Sequence, residues 1–78
     1  SGRMNVEHLV KMANQIEAFF HSEPDREAAI EGIRNHIKRF WDPRMRAQIQ
    51  EHLQAGAGGM SELVVEAVRR LSASGNSA

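Results

Sequence analysis

The stretch KRFWDPRMR, Lys38 to Arg46, decides how this chain is read. Four basic residues surround a Phe-Trp pair, and Asp42-Pro43 divides the stretch in two. A residue that precedes proline is pushed out of the helical region, so a helix arriving from the N-terminal side halts at about Trp41. The Asp42 carboxylate suits the free N–H groups ahead of it, and Pro43 has the fixed φ of a first helical position. The stretch therefore reads as a corner between two helices, with Phe40 on the apolar stripe of the incoming one and expected in the core.

Outward from the corner, the incoming helix carries Ile30, Ile33, Ile37, Phe40 and Trp41 at helical spacing. Gly32 within it is unfavourable by ~1 kcal/mol relative to Ala, which a closely approaching neighbour would explain, though the sequence alone shows none. Ser22-Glu23-Pro24-Asp25 supplies the break before it, with Ser22 as a cap and Pro24 in the first turn. Further upstream, Asn5 is a cap, and Val6, Leu9, Met12, Ala13, Ile16, Phe19 and Phe20 predict a helix over 5–21 with both phenylalanines turned inward. Glu7, Lys11, Asn14 and Ala18 fall opposite that stripe.

Downstream, Met45, Ile49 and Leu53 line one face until Gly56, a natural helix stop. Gly56-Ala57-Gly58-Gly59 is a flexible connection, and Ser61 caps a last helix with Leu63, Val64, Ala67, Val68 and Leu71 as its stripe. From Ser72 the chain is Ser, Ala, Gly and Asn, too polar to order itself by burial. The pattern predicts an all-α fold, a small single-domain bundle of about four short helices with a disordered C-terminal tail. Residues 1–3, ahead of Met4, read as an expression scar, 4–71 as the helical domain and 72–78 as the flexible tail.

Composition narrows the function classes. The 78 residues hold no cysteine, which excludes a disulfide framework and a thiolate zinc site. No apolar run approaches a membrane span, and the expectation is a cytoplasmic protein. Net charge is zero but unevenly placed. Residues 1–33 hold three basic and six acidic side chains, whereas Arg34, Lys38, Arg39, Arg44 and Arg46 stand against Asp42 alone in 34–46. A balanced total argues against a general nucleic-acid binder and leaves the centre as an electrostatic patch.

No catalytic, cofactor or metal residue emerges from the spacing. His8, His21, His36 and His52 include no pair four apart on one helix face. His36 and His52 border apolar stripes and read as partly buried helix residues. Ser22 and Ser61 are explained as caps, and AGAGGMS lacks the lysine and the preceding strand of a phosphate loop. The corner is left over. Trp41 can lie over Arg46 with cation–π character, while Arg39 and Arg44 have no structural use, and Trp and Arg are enriched at protein–protein hot spots. On the residues alone, a structural corner and a docking face stay equally open.

LVKMANQIEAFF (Leu9–Phe20), IRNHIKRFWDPRMR (Ile33–Arg46) and EHLQAGAGGMSELVVEAV (Glu51–Val68) together resemble the delta subunit of NAD-dependent formate dehydrogenases, with FWDPRMR the most specific block. The resemblance implies a non-catalytic accessory subunit with no cofactor of its own. It also implies a complex whose alpha subunit carries a molybdenum or tungsten bis-guanine-dinucleotide centre and iron–sulfur clusters. Beta and gamma subunits would carry FMN and further clusters and reduce NAD. Under it, the expected role is assembly, cofactor loading or stability of the alpha subunit, the expected partner. The corner would dock there, with Trp41 as anchor and Arg39, Arg44 and Arg46 around it, while Phe40, Asp42 and Pro43 build the turn. The alternative is a small regulator that binds nucleic acid or a phosphate-bearing cofactor through the basic Arg39–Arg46 patch.

Overall fold

The computed structural model describes residues 5–75, with side chains through Leu71. Four helices follow in order: α1 Val6–Phe19, α2 Arg26–Phe40, α3 Pro43–Gln54 and α4 Glu62–Gly75. No strand occurs among the described residues, so the all-α expectation holds. The core is a single cluster in which every helix takes part. Leu9, Ile30, Ile33, Ile37, Ile49, Val64 and Val68 are its fully buried large side chains. Each such side chain stabilises the fold by roughly 1.5–3 kcal/mol relative to exposure. The helix pair α2–α4 makes the most extensive contact, α1 packs against all three other helices, and α3 packs against α4 and α1.

The caps fix where the helices begin. Asn5 accepts from the Glu7 N–H at 2.8 Å and starts α1. The second cap differs from expectation: it is Asp25, whose Oδ1 accepts from the Glu27 N–H at 3.0 Å. Ser22 and Pro24 lie in the preceding turn, because Asp25, three residues later than Ser22, has both the extended backbone and the carboxylate of an N-cap. Ser61 starts α4 as expected, its hydroxyl accepting from the Val64 N–H at 3.3 Å.

Gly32 does meet a close neighbour, the ring of Phe20. A Cβ there would stand 2.5 Å from Cε1 of Phe20, so the half-buried ring uses the space that glycine leaves open. The 56–60 connection is more firmly held than its composition suggests. Asn14 donates to the Gly59 carbonyl at 2.9 Å and accepts from the Ser61 N–H at 3.1 Å. His52 bonds the Gly58 carbonyl at 2.8 Å. Asn14, expected to face solvent, thus clamps the loop from across the bundle. The α4 backbone continues to Gly75, four residues beyond the expected boundary at Leu71. Ser and Ala tolerate helix well enough to extend an existing one, since propagation adds a hydrogen bond for each residue fixed. The rest of the expected tail, 76–78, and the expected scar, 1–3, lie outside the described residues.

Candidate protein-docking surface

Asp42-Pro43 builds the corner as the sequence indicates. Oδ1 of Asp42 accepts from the Met45 N–H at 2.9 Å, and Pro43 opens α3. Arg46 completes it in a way the sequence did not show. Its Nη1 donates to the Trp41 carbonyl at 2.7 Å and to the Lys38 carbonyl at 3.0 Å. These carbonyls end α2 and have no helical partner of their own, so a guanidinium one turn into α3 staples the end of α2. Arg46 is therefore used by the fold, with its Nη1 turned into the corner.

The aromatic pair is reversed relative to expectation. Trp41 is only 5 % exposed and belongs to the core, whereas Phe40 is 69 % exposed. The inward placement of both α1 phenylalanines is corrected in the same sense. Phe20 is half-buried against Gly32, while Phe19 is 80 % exposed and meets Phe20 edge-on with ring centroids 5.3 Å apart. Adjacent helical residues are separated by about 100° of rotation, so a Phe-Phe or Phe-Trp pair on a helix sends one ring toward the core and one away from it. Of the four residues proposed as the docking face, Trp41 and Arg46 are thus used by the fold. Arg39 and Arg44 are exposed, and the Arg39 guanidinium carbon lies 6.0 Å from the Phe40 ring centre.

Of the exposed aromatics, Phe19 lines a shallow groove between α1 and the end of α2. Met12, Gln15, Ile16 and Phe19 form one wall, His36 the other, and the edge of Trp41 the floor, around about 330 Å³. His36 is exposed rather than partly buried, and it holds Phe40 beside the groove with ring centroids 4.8 Å apart. The acidic residues of α2 are turned elsewhere. Glu27 and Glu31 accept from Arg70 of α4, and Glu31 also from Arg34. The Arg70 hydrogen bond holds Glu27 below the usual carboxylate range, and those of Arg34 and then Arg70 do the same for Glu31. Among the described residues, no group of three or more His, Cys, Asp or Glu is placed to hold a metal ion. Nor is any helix there long and apolar enough to cross a membrane.

These features define a class: a small helical domain with a closed apolar core that presents an aromatic groove and a basic corner at one end. A family model, NADH-dependent formate dehydrogenase delta subunit FdsD, matches residues 8–68, from the first turn of α1 into the middle of α4. The chain belongs to this family, in agreement with the resemblance seen in its sequence. A search of curated proteins and a search of solved structures each gave no match.

Proposed function

We propose that the chain is a non-catalytic accessory subunit of a cytoplasmic formate dehydrogenase complex, supporting assembly, cofactor loading or stability of the catalytic alpha subunit through protein–protein contacts. The observation that carries this reading is the extent of the family match, which takes in all four helices and the corner. The bundle supports it physically. Among the described residues its large apolar side chains mostly close one core, while Phe19 and Phe40 are left exposed on either side of His36. Large exposed aromatics beside arginine are the surface chemistry of a binding module. On this reading the molybdenum or tungsten centre, the iron–sulfur clusters, FMN and the NAD site reside in the alpha, beta and gamma subunits.

The test is to produce the remaining subunits with and without this chain. The expected outcome is that the chain co-purifies with them, and that its omission lowers the molybdenum or tungsten content, or the thermal half-life, of the catalytic subunit. Failure to co-purify, together with unchanged metal content and half-life, overturns the reading.

A further inference from the structure

The groove between α1 and α2 has a one-sided electrostatic character that specifies its occupant. On its α1 side, helical spacing aligns His8 and Lys11 with the lining residues Met12, Gln15, Ile16 and Phe19. On its α2 side stand His36, Arg39 and Phe40, and Arg44 is exposed just beyond the corner. The nearby carboxylates are directed away from it. Glu7 lines a separate hollow with Val10 and His52, and Glu17 is half-buried and reaches toward His21. Glu23 and Asp25 accept from backbone N–H groups of their own turn, and Glu27 and Glu31 face Arg70. Asp42 is occupied as the α3 cap. The result is an apolar trough whose borders carry cationic and neutral side chains.

We infer that this groove, and not the Trp41 corner, is the docking surface, and that it takes a segment of a partner polypeptide with one or two large apolar side chains flanked by Asp or Glu. The inference rests on the accessory-subunit reading and names the surface and the partner chemistry. The volume suits one or two side chains rather than a cofactor, since it lies at the bottom of the roughly 300–1,000 Å³ range of small-molecule sites. Phe19 and Phe40 are the anchors. Arg39 meets carboxylates at the rim and contributes to encounter and register more than to residence time. Trp41 supplies a rigid floor and acts only through that surface.

The test uses the full chain and a formate dehydrogenase complex prepared without it. Phe19→Ala and Phe40→Ala each remove a ring that is mostly in solvent, so the helical signal should match the parent. Binding should weaken by ~10-fold or more for each anchor. Arg39→Glu should slow association and reduce its salt dependence, and Arg69→Glu, on exposed α4, should leave binding unchanged. A benzoylphenylalanine photo-crosslinker in place of Phe19 should attach to a partner peptide with carboxylates within a turn of an apolar residue.

Each contrary outcome has a distinct meaning. If the parent binds and both alanine variants bind equally well, the groove is overturned while the accessory-subunit reading stands. If the parent does not bind the complex at all, that reading fails first. Crosslinking to a basic segment overturns the partner chemistry. Self-association abolished by the same alanine substitutions makes the groove a contact between copies of this chain and overturns the proposal. Retention of a nucleic acid or phosphate ligand through Arg39 and Arg44, with no effect of Phe19→Ala, overturns it in favour of the regulator alternative.

Discussion

Trp41→Ala and Phe40→Ala change neighbouring aromatic residues and should have opposite consequences. Trp41 is 5 % exposed and packs in the core, so its truncation removes a large buried ring and leaves a cavity. Such changes typically destabilise by about 3–5 kcal/mol. A chain of 78 residues has a total stability on the order of 4–12 kcal/mol at the usual value per residue. Trp41→Ala should therefore remove a quarter or more of that stability, and at the lower end of the range it unfolds the domain outright. Phe40, at 69 % exposure, lies outside the core, and its truncation should change stability by no more than about 0.5 kcal/mol. Urea denaturation followed by far-ultraviolet circular dichroism measures both. With a urea slope of about 1 kcal/mol/M for a small domain, the Trp41 midpoint falls by ~3 M or more. Trp41 is also the only tryptophan, so parent fluorescence should be blue-shifted and poorly quenched by iodide until the chain unfolds. If Trp41→Ala melts with the parent while Phe40→Ala collapses, the core assignment at the corner is wrong, and the original docking role of Trp41 returns.

Arg46→Met keeps the aliphatic stem but deletes both bonds to the end of α2, and should destabilise by ~1–2 kcal/mol in the same urea assay. Gly32→Ala would normally favour the helix, but here its Cβ must displace the Phe20 ring, so a net loss of about 1–3 kcal/mol is expected. In a Phe20→Ala background the same change should instead be neutral or stabilising, and this reversal of sign in a double-mutant cycle tests the contact. Glu27 and Glu31 titrate below their ordinary value of 4.5 in the folded chain because Arg70 and Arg34 bond their ionised forms. Their contribution to stability is therefore fully present above that value and is lost as the pH falls through the depressed folded values. Arg70→Met should flatten this acid limb of the melting temperature against pH, and added salt should weaken the dependence in the parent.

The sequence carried the fold because the residues that define it act locally. Asp42-Pro43 restricts its own backbone and that of its neighbours, and it forms the corner wherever the helices finally pack. The isoleucines at 30, 33 and 37 share one face by spacing alone, and all three are buried. Gly32 was readable only in part: an unfavourable residue inside a helix raised the question of a compensating contact, and nothing local showed the contact or identified Phe20. The clamp on the Gly-rich loop was not readable. Asn14 and Gly59 lie 45 residues apart, and they meet only after the bundle has formed.

The candidate surface was half legible for a physical reason that also bears on how it works. A periodic pattern gives the direction of a stripe, but it cannot say where the stripe stops when two aromatic residues follow one another. Phe19-Phe20 and Phe40-Trp41 are both such pairs, and tertiary packing buries the second ring of each more deeply than the first. Phe20 moves in because Gly32 leaves room for its ring, and Trp41 because the chain turns at Asp42 and carries its side chain over the core. Of the rings left outside, Phe19 lines the groove with His36, and the His36 ring stands beside Phe40. The elements that close the core therefore also set the position of the exposed aromatics. Arg46 adds rigidity to the same place by joining α3 to the last carbonyls of α2. A surface whose rings are fixed by the fold loses little freedom on binding, which favours affinity without requiring a large interface. The corner can thus influence docking without touching a partner: Arg46→Met should weaken binding through movement of Phe40, while Phe40→Ala weakens it with the fold intact.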